Sequence, residues 1–90
     1  MKFWYAYALV TQRHDFIYVG STNNVERRLE EHNEGRVQST KPYRPLSLGA
    51  YIAVPSERRA RELEAYLKKG SGKAILRNRI LADEVPPSGT

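Results

Sequence analysis

Ninety residues carry fifteen Lys plus Arg against ten Asp plus Glu, a formal charge of +5, which bounds the chain to one domain with a single modest core. The absence of cysteine excludes disulfides, thiol catalysis and Cys-based zinc sites. So much positive charge on so small a surface favours a polyanionic partner, against the blander alternative of a soluble basic protein with none.

Lys2 is followed by an apolar run from Phe3 to Val10. It is too short to span a bilayer and no small-residue cleavage site follows it, so an intracellular, cytoplasmic protein with no membrane partner is expected. The run has the length and aromatic content of a strand. Gln12-Arg13-His14-Asp15 is polar and Phe16 to Gly20 is strand-like again, so the two segments read as an antiparallel hairpin. A loop symmetric about Gln12 and Arg13 pairs position 7 with position 18. Tyr7 and Tyr18 then become direct cross-strand neighbours on one face, with Cβ atoms about 5 Å apart.

Gly20 permits a sharp exit from the second strand, and Asn23, three residues ahead of Glu26, resembles a capping box. The helix expected from near Asn24 should stop around Asn33, where Asn33-Glu34-Gly35 tolerates a left-handed C-terminal conformation. Val25, Arg28, Leu29 and His32 fall on one stripe of it, while Glu26, Arg27, Glu30 and Glu31 look outward. An arginine and a histidine thus stand where a purely structural helix carries aliphatic side chains.

Arg36 to Pro45 reads as a loop with Arg36, Lys41 and Arg44 and no acid, suited to contacting phosphates; an ordinary solvated connection is the alternative. Leu46 to Val54 is a third strand, and Pro55-Ser56 marks a break with a helix N-cap. The second helix is expected from about Glu57 to Lys69, with Ala60, Leu63 and Leu67 on one stripe and Glu64 inside it. An ionised carboxylate on a packing face is costly unless it is paired or holds a cation. Lys68 and Lys69 at the end of that helix join the candidate nucleic-acid contacts. Gly70-Ser71-Gly72 should end the helix, and Ala74-Ile75-Leu76 with Ile80-Leu81 supports a third, shorter one. Gly-Ser-Gly-Lys is not a phosphate loop, because the spacing is too short, no strand precedes it, and Ala74 replaces the required Ser or Thr. The domain is expected over 1–82, with 83–90 a frayed tail.

Tyr7, Tyr18, Arg28, His32 and Glu64 are the polar groups this pattern leaves unexplained. Singly, each has a structural account: packing aromatics, an arginine stem on a helix surface, a helix-end histidine, a glutamate paired with Arg28 or a lysine. Together they suit phosphodiester hydrolysis. A carboxylate holds a divalent cation, an arginine neutralises charge on the phosphate oxygens, and a tyrosine or histidine helps deprotonate water. A single carboxylate completed by waters and substrate oxygens is normal for magnesium and poor for zinc.

The same residues resemble the GIY-YIG nuclease domain, specifically its small stand-alone, UPF0213-like members, from about Trp4 to Gly72. Tyr5-Ala6-Tyr7 matches the first motif, with Tyr5 and Ala6 in place of the name-giving Gly and Ile; Tyr18-Val19-Gly20 matches the second, and Asn24 through His32 the Asn-x-x-x-Arg helix. Arg28 lies ten residues past Tyr18, the family's position for its catalytic arginine. Ser39-Thr40-Lys41 with Arg44-Pro45 looks like the loop of these small members, and Ala60 through Lys68 like the helix bearing their metal-binding glutamate, which falls on Glu64.

The resemblance implies an α+β, sandwich-like fold, a three-stranded antiparallel sheet flanked by about three helices. It also implies endonucleolytic cleavage of DNA with Mg2+ or Mn2+ at Glu64, in a setting such as repair or recombination. Arg28 would stabilise the phosphoryl transition state, Tyr18 or Tyr7 would orient or deprotonate water, and His32 would assist. The DNA could be single-stranded, branched or duplex, and a protein partner could supply targeting. Contacts dominated by phosphates make affinity salt-sensitive and cutting structure-selective or weakly selective. The alternative is a non-catalytic nucleic-acid-binding module on the same fold.

Overall fold

A computed structural model describes residues 2–11 and 15–81. The first strand, β1 (Trp4–Val10), is central in a three-stranded antiparallel sheet of order β2-β1-β3, flanked by β2 (Ile17–Thr22) and β3 (Ser47–Val54). Ala6 to Val10 are all buried, which explains why the segment reads as a continuous apolar run rather than an alternation: the sheet is covered on both faces. Ala8 and Val10 pack with Val19, Leu67, Leu76 and Leu81 on one face. Tyr7 and Leu9 pack with Leu46 on the other, against Tyr18 and Leu29. The expected α+β architecture is therefore present, with helices on both sides of a small sheet.

Helix α1 (Val25–Asn33) covers the Tyr7 face, and α2 (Glu57–Leu67) with α3 (Gly70–Ile75) covers the opposite one. The N-cap of α1 is Asn24, whose side chain accepts from the Arg27 N–H at 3.0 Å, not Asn23 as the capping-box spacing suggested. Asn23 instead accepts from the Arg27 guanidinium at 3.1 Å. Two residues of extra strand, Ser21 and Thr22, shift the cap. Beyond Asn33 the chain turns through Gly35 at φ +82°, the left-handed conformation that favours glycine. A short 3-10 turn, Lys41–Tyr43, lies in the segment that leads to β3.

Ser56 caps α2 by accepting from the Arg59 N–H at 3.2 Å. The Gly-Ser-Gly stretch does not simply terminate α2, which ends at Leu67; it forms the start of α3. Close packing is the reason, since a Cβ on buried Gly72 would fall 1.9 Å from the Tyr66 carbonyl oxygen. The chain continues from α3 into a π-helical turn, Leu76–Ile80, closed by the Leu81 N–H donating to the Leu76 carbonyl at 2.8 Å.

The hairpin register differs from the expectation. Tyr7 faces Gly20 and Leu9 faces Tyr18, a slip of two residues, so Tyr7 and Tyr18 are diagonal neighbours rather than a direct pair. Strand β1 runs to Val10 and β2 starts at Ile17, so the connection is longer than a tight loop about Gln12 and Arg13 allows. A slip of two preserves side-chain parity. Both tyrosines accordingly remain on one face, with ring centroids 6.2 Å apart. Gln12 and Arg13 lie outside the described residues, as does the tail expected over 83–90.

Candidate active site

Strand β2 is an edge strand, and the site is assembled around its free edge from both layers. On the α1 side stand Tyr7, Tyr18 and Arg28; on the α2 side stand Ser21 and Glu64. Together they line a cleft of about 460 Å³. Tyr7 belongs to the central strand, and it reaches the edge because the residue opposite it is Gly20. A Cβ on Gly20 would lie 2.6 Å from the Tyr7 hydroxyl and 2.7 Å from Cζ, so the phenol ring passes directly across the space a side chain would fill.

Behind Tyr7 lies a buried polar chain. The Tyr7 hydroxyl is 3.0 Å from His32 Nε2, and His32 Nδ1 is 2.8 Å from the Thr40 hydroxyl, which donates to the Val37 carbonyl at 3.3 Å. A carbonyl only accepts, so the Thr40 proton points to Val37 and Thr40 Oγ1 accepts from His32 Nδ1–H. Nε2 is then the bare nitrogen, accepting from Tyr7. His32 and Thr40 are fully buried. Burial, reinforced by the Arg28 charge, pushes the His32 pKa below its ordinary value of 6.5, so the imidazole is neutral. Burial likewise pushes the Tyr7 phenol up to about 12, with the Arg28 guanidinium partly opposing it. Tyr18 rests edge-on against His32 with centroids 4.8 Å apart.

Arg28 is half-buried and donates to Glu31 at 2.9 Å. That bond raises its pKa further, and the guanidinium in turn holds the Glu31 carboxyl below the usual carboxylate range. Arg28 is a permanent cation with one carboxylate partner and a cleft-facing position. Across the edge, the Ser21 hydroxyl donates to Glu64 Oε1 at 2.7 Å, and Lys68 Nζ lies 2.6 Å from Oε2. Both oxygens of the inward glutamate are therefore engaged.

The five residues singled out from sequence thus converge, four lining the cleft and His32 directly behind Tyr7. Of the basic candidates, Lys68 lines the cleft. Arg36 is exposed and pairs with Glu34 at 3.0 Å, and the Arg44 Nε donates to the Lys41 carbonyl at 3.0 Å. Lys41 and Lys69 are exposed, and neither lines the cleft. Three contributors escaped the sequence: Ser21, Thr40 and Arg61, which also lines the cleft. Arg61 had a usable signal, lying one helical turn before Glu64 on the same face. Thr40 was noted only as part of the Ser39-Thr40-Lys41 loop, because its contact with His32 depends on how the loop folds back.

Among the described residues no group of three His, Cys, Asp or Glu converges on a common point. The cleft offers one carboxylate with hydroxyls of Ser21 and the tyrosines around it. These hard oxygen donors fit a cation that keeps most of its waters and takes phosphate oxygens, and do not fit zinc. Among the described residues no helix is long and apolar enough to cross a membrane.

The profile of the GIY-YIG catalytic domain matches residues 3–78. The chain belongs to the GIY-YIG family. A UPF0213 protein of Bacillus licheniformis is 38% identical over 58 residues, 63% of this chain and 60% of that protein's length. The chain thus spans less than two thirds of that relative, whose name carries no statement of activity. The GIY-YIG family is one of nucleases.

Proposed function

We propose that this chain is a divalent-metal-dependent DNA endonuclease. The observation that carries the reading is the convergence of Tyr7, Tyr18 and Arg28 with Glu64 around one exposed strand edge. Glu64 would hold the ion, Mg2+ or Mn2+, with its remaining positions left to waters and substrate oxygens. When bound, such an ion supplies Lewis-acid polarisation of the phosphate and lowers the pKa of bound water.

The protein groups divide the remaining work. Arg28 neutralises charge on the phosphate oxygens as it develops in the transition state. Tyr7 takes a proton from the attacking water while passing its own to His32 Nε2, so no free tyrosinate with a pKa near 12 has to form first. His32 acts through Tyr7, and Thr40 fixes its tautomer. Tyr18, against the His32 ring, orients the water. Lys68, paired with Glu64 Oε2 at 2.6 Å, would be the cation placed to contact the phosphate where Glu64 holds the metal. Arg36, Lys41, Arg44, Lys68 and Lys69 contact the DNA backbone, which gives salt-sensitive affinity and selectivity for DNA shape over sequence. This behaviour suits repair or recombination inside the cell, with a partner protein supplying targets.

One observation favours a second reading, a non-catalytic DNA-binding module: both Glu64 oxygens are already satisfied by Ser21 and Lys68. Cleavage of labelled single-stranded, duplex and branched DNA with Mg2+ or Mn2+, run beside Glu64→Ala and EDTA, separates the two. The nuclease predicts metal-dependent products that disappear in Glu64→Ala while DNA binding stays. Products that persist in the variant sink it, and binding without products from any substrate selects the module.

A further inference from the structure

Next to the cleft, along the first half of β2, a second pocket of about 240 Å³ opens over the buried side chains of Val19, Leu67 and Leu76. We propose that it is a base-binding subsite, which receives the unpaired nucleobase of the nucleotide adjoining the scissile phosphate. The proposal rests on the nuclease reading above and names its substrate class: DNA with at least one unpaired nucleotide at the cut.

Three features choose this occupant. Tyr18 and Lys68 line both the pocket and the cleft, so the two are one continuous groove along a strand edge. A molecule filling both must join an anionic group to a flat apolar one, as a nucleotide does. The cations at the mouth are Lys68 and Lys73, and no acidic residue lines the pocket, which suits the phosphates on either side of a bound base and not a neutral apolar ligand. Finally, among the described residues no strand pairs with the outer edge of β2. The backbone N–H and C=O groups there are thus placed to meet the hydrogen-bonding edge of a base, while the aliphatic floor and Tyr18 meet its face.

A base held in a duplex must first be unstacked and unpaired to enter, whereas a single-stranded one enters without that cost. The pocket therefore discriminates by strand state. Stacking and apolar contact with one base are worth about a tenfold change in affinity.

The test uses the full chain carrying Glu64→Ala, without added metal and at low salt. A single-stranded oligonucleotide is scanned with 2-aminopurine, and separately with an abasic site, one position at a time. One position alone should change in fluorescence, and loss of the base there should weaken binding about tenfold, with the same sequence in duplex form showing neither effect. Ser39 is exposed and lines the pocket, so Ser39→Trp places an indole in it without touching the core. This variant should bind intact and abasic strands equally. Lys73→Glu, a surface change, should weaken the intact strand more than the abasic one. A flat scan, a duplex that behaves like the single strand, or Ser39→Trp and Lys73→Glu that keep the full difference between intact and abasic strands would each overturn the subsite. Loss of cleavage in Glu64→Ala together with a flat scan removes the subsite alone. Cleavage surviving Glu64→Ala removes the nuclease reading itself.

Discussion

Gly20→Ala is the sharpest perturbation of this site. The new methyl would sit 2.6 Å from the Tyr7 hydroxyl, 2.7 Å from Cζ and 3.0 Å from Cε1, inside contact distance of a rigid, 2% exposed ring. Overpacking of this kind costs about 1–3 kcal/mol. A displaced ring also abandons His32 Nε2, and an unsatisfied buried acceptor costs about 1–3 kcal/mol more. Restricting the unfolded chain returns about 0.4–1 kcal/mol. The net is about 3 kcal/mol, out of a total stability of about 5–13 kcal/mol for a chain of this length. Urea denaturation should show it, and cleavage should fall with it, because Tyr7 no longer reaches the edge. The cause is isolated by a cycle with Tyr7→Leu, which removes the struck atoms. In that background Ala at position 20 should be neutral or mildly stabilising, a coupling of about 2 kcal/mol or more. A cost below about 1 kcal/mol, or the same cost in both backgrounds, would refute the argument that Tyr7 crosses over this glycine.

Lys68→Ala frees one oxygen of a half-exposed pair, so Mn2+ should bind about two- to fivefold tighter by paramagnetic resonance titration, while the rate at saturating metal falls; unchanged affinity would show that Lys68 does not compete for Glu64. Tyr7 binds its proton more tightly folded than unfolded, so its contribution is complete below pH 10 and is lost as pH rises towards about 12. Two pKa units correspond to about 3 kcal/mol, and Tyr7→Phe should flatten the alkaline decline in stability by that order. His32 has the opposite sense: its pKa is depressed in the fold, so its contribution is present above 6.5 and lost as pH falls below it. His32→Gln should make the acid side of the stability profile shallower, and an unaltered slope would mean that the buried imidazole does not titrate with unfolding.

What the sequence disclosed follows from periodicity. Tyr7 and Tyr18 share a face whatever even slip the hairpin takes, so their common side was legible although their register was not; register depends on loop length, which residues 11–16 do not announce. Glu64 stood out because a helical stripe of Ala60, Leu63 and Leu67 makes any charge within it conspicuous. Lys68, one helical turn on from Glu64, was legible as a basic residue and its i,i+4 pairing follows from helix geometry alone, whereas Ser21 sits at an unremarkable strand position and meets Glu64 only through the packing of α2 on the edge of β2. Gly70-Ser71-Gly72 looked like a stop signal since glycine usually is one. At Gly72 it marks close approach to the Tyr66 carbonyl, which local sequence cannot distinguish from a turn. Thr40 was legible as part of the Ser39-Thr40-Lys41 loop, but its bond to His32 was not, being set by tertiary folding alone.

Asn33, the last residue of α1, reads the backbone at the approach to β3: its Nδ2 donates to the Leu46 carbonyl at 2.9 Å, and its Oδ1 accepts from the Leu46 N–H at 2.7 Å. This clasp ties together the two ends of the segment between helix and strand without using any side chain of that segment. Everything from Glu34 to Pro45 is thereby a cassette whose length and composition can drift while the helix and strand it joins stay where they are. The cassette carries Arg36, Lys41 and Arg44, and it also carries Ser39 at the pocket. On the proposed nuclease reading, exchanging this piece would alter DNA preference, provided Gly35 keeps its left-handed turn, position 40 keeps the hydroxyl that accepts from His32 Nδ1–H, and Tyr43 keeps its stacking on Phe16.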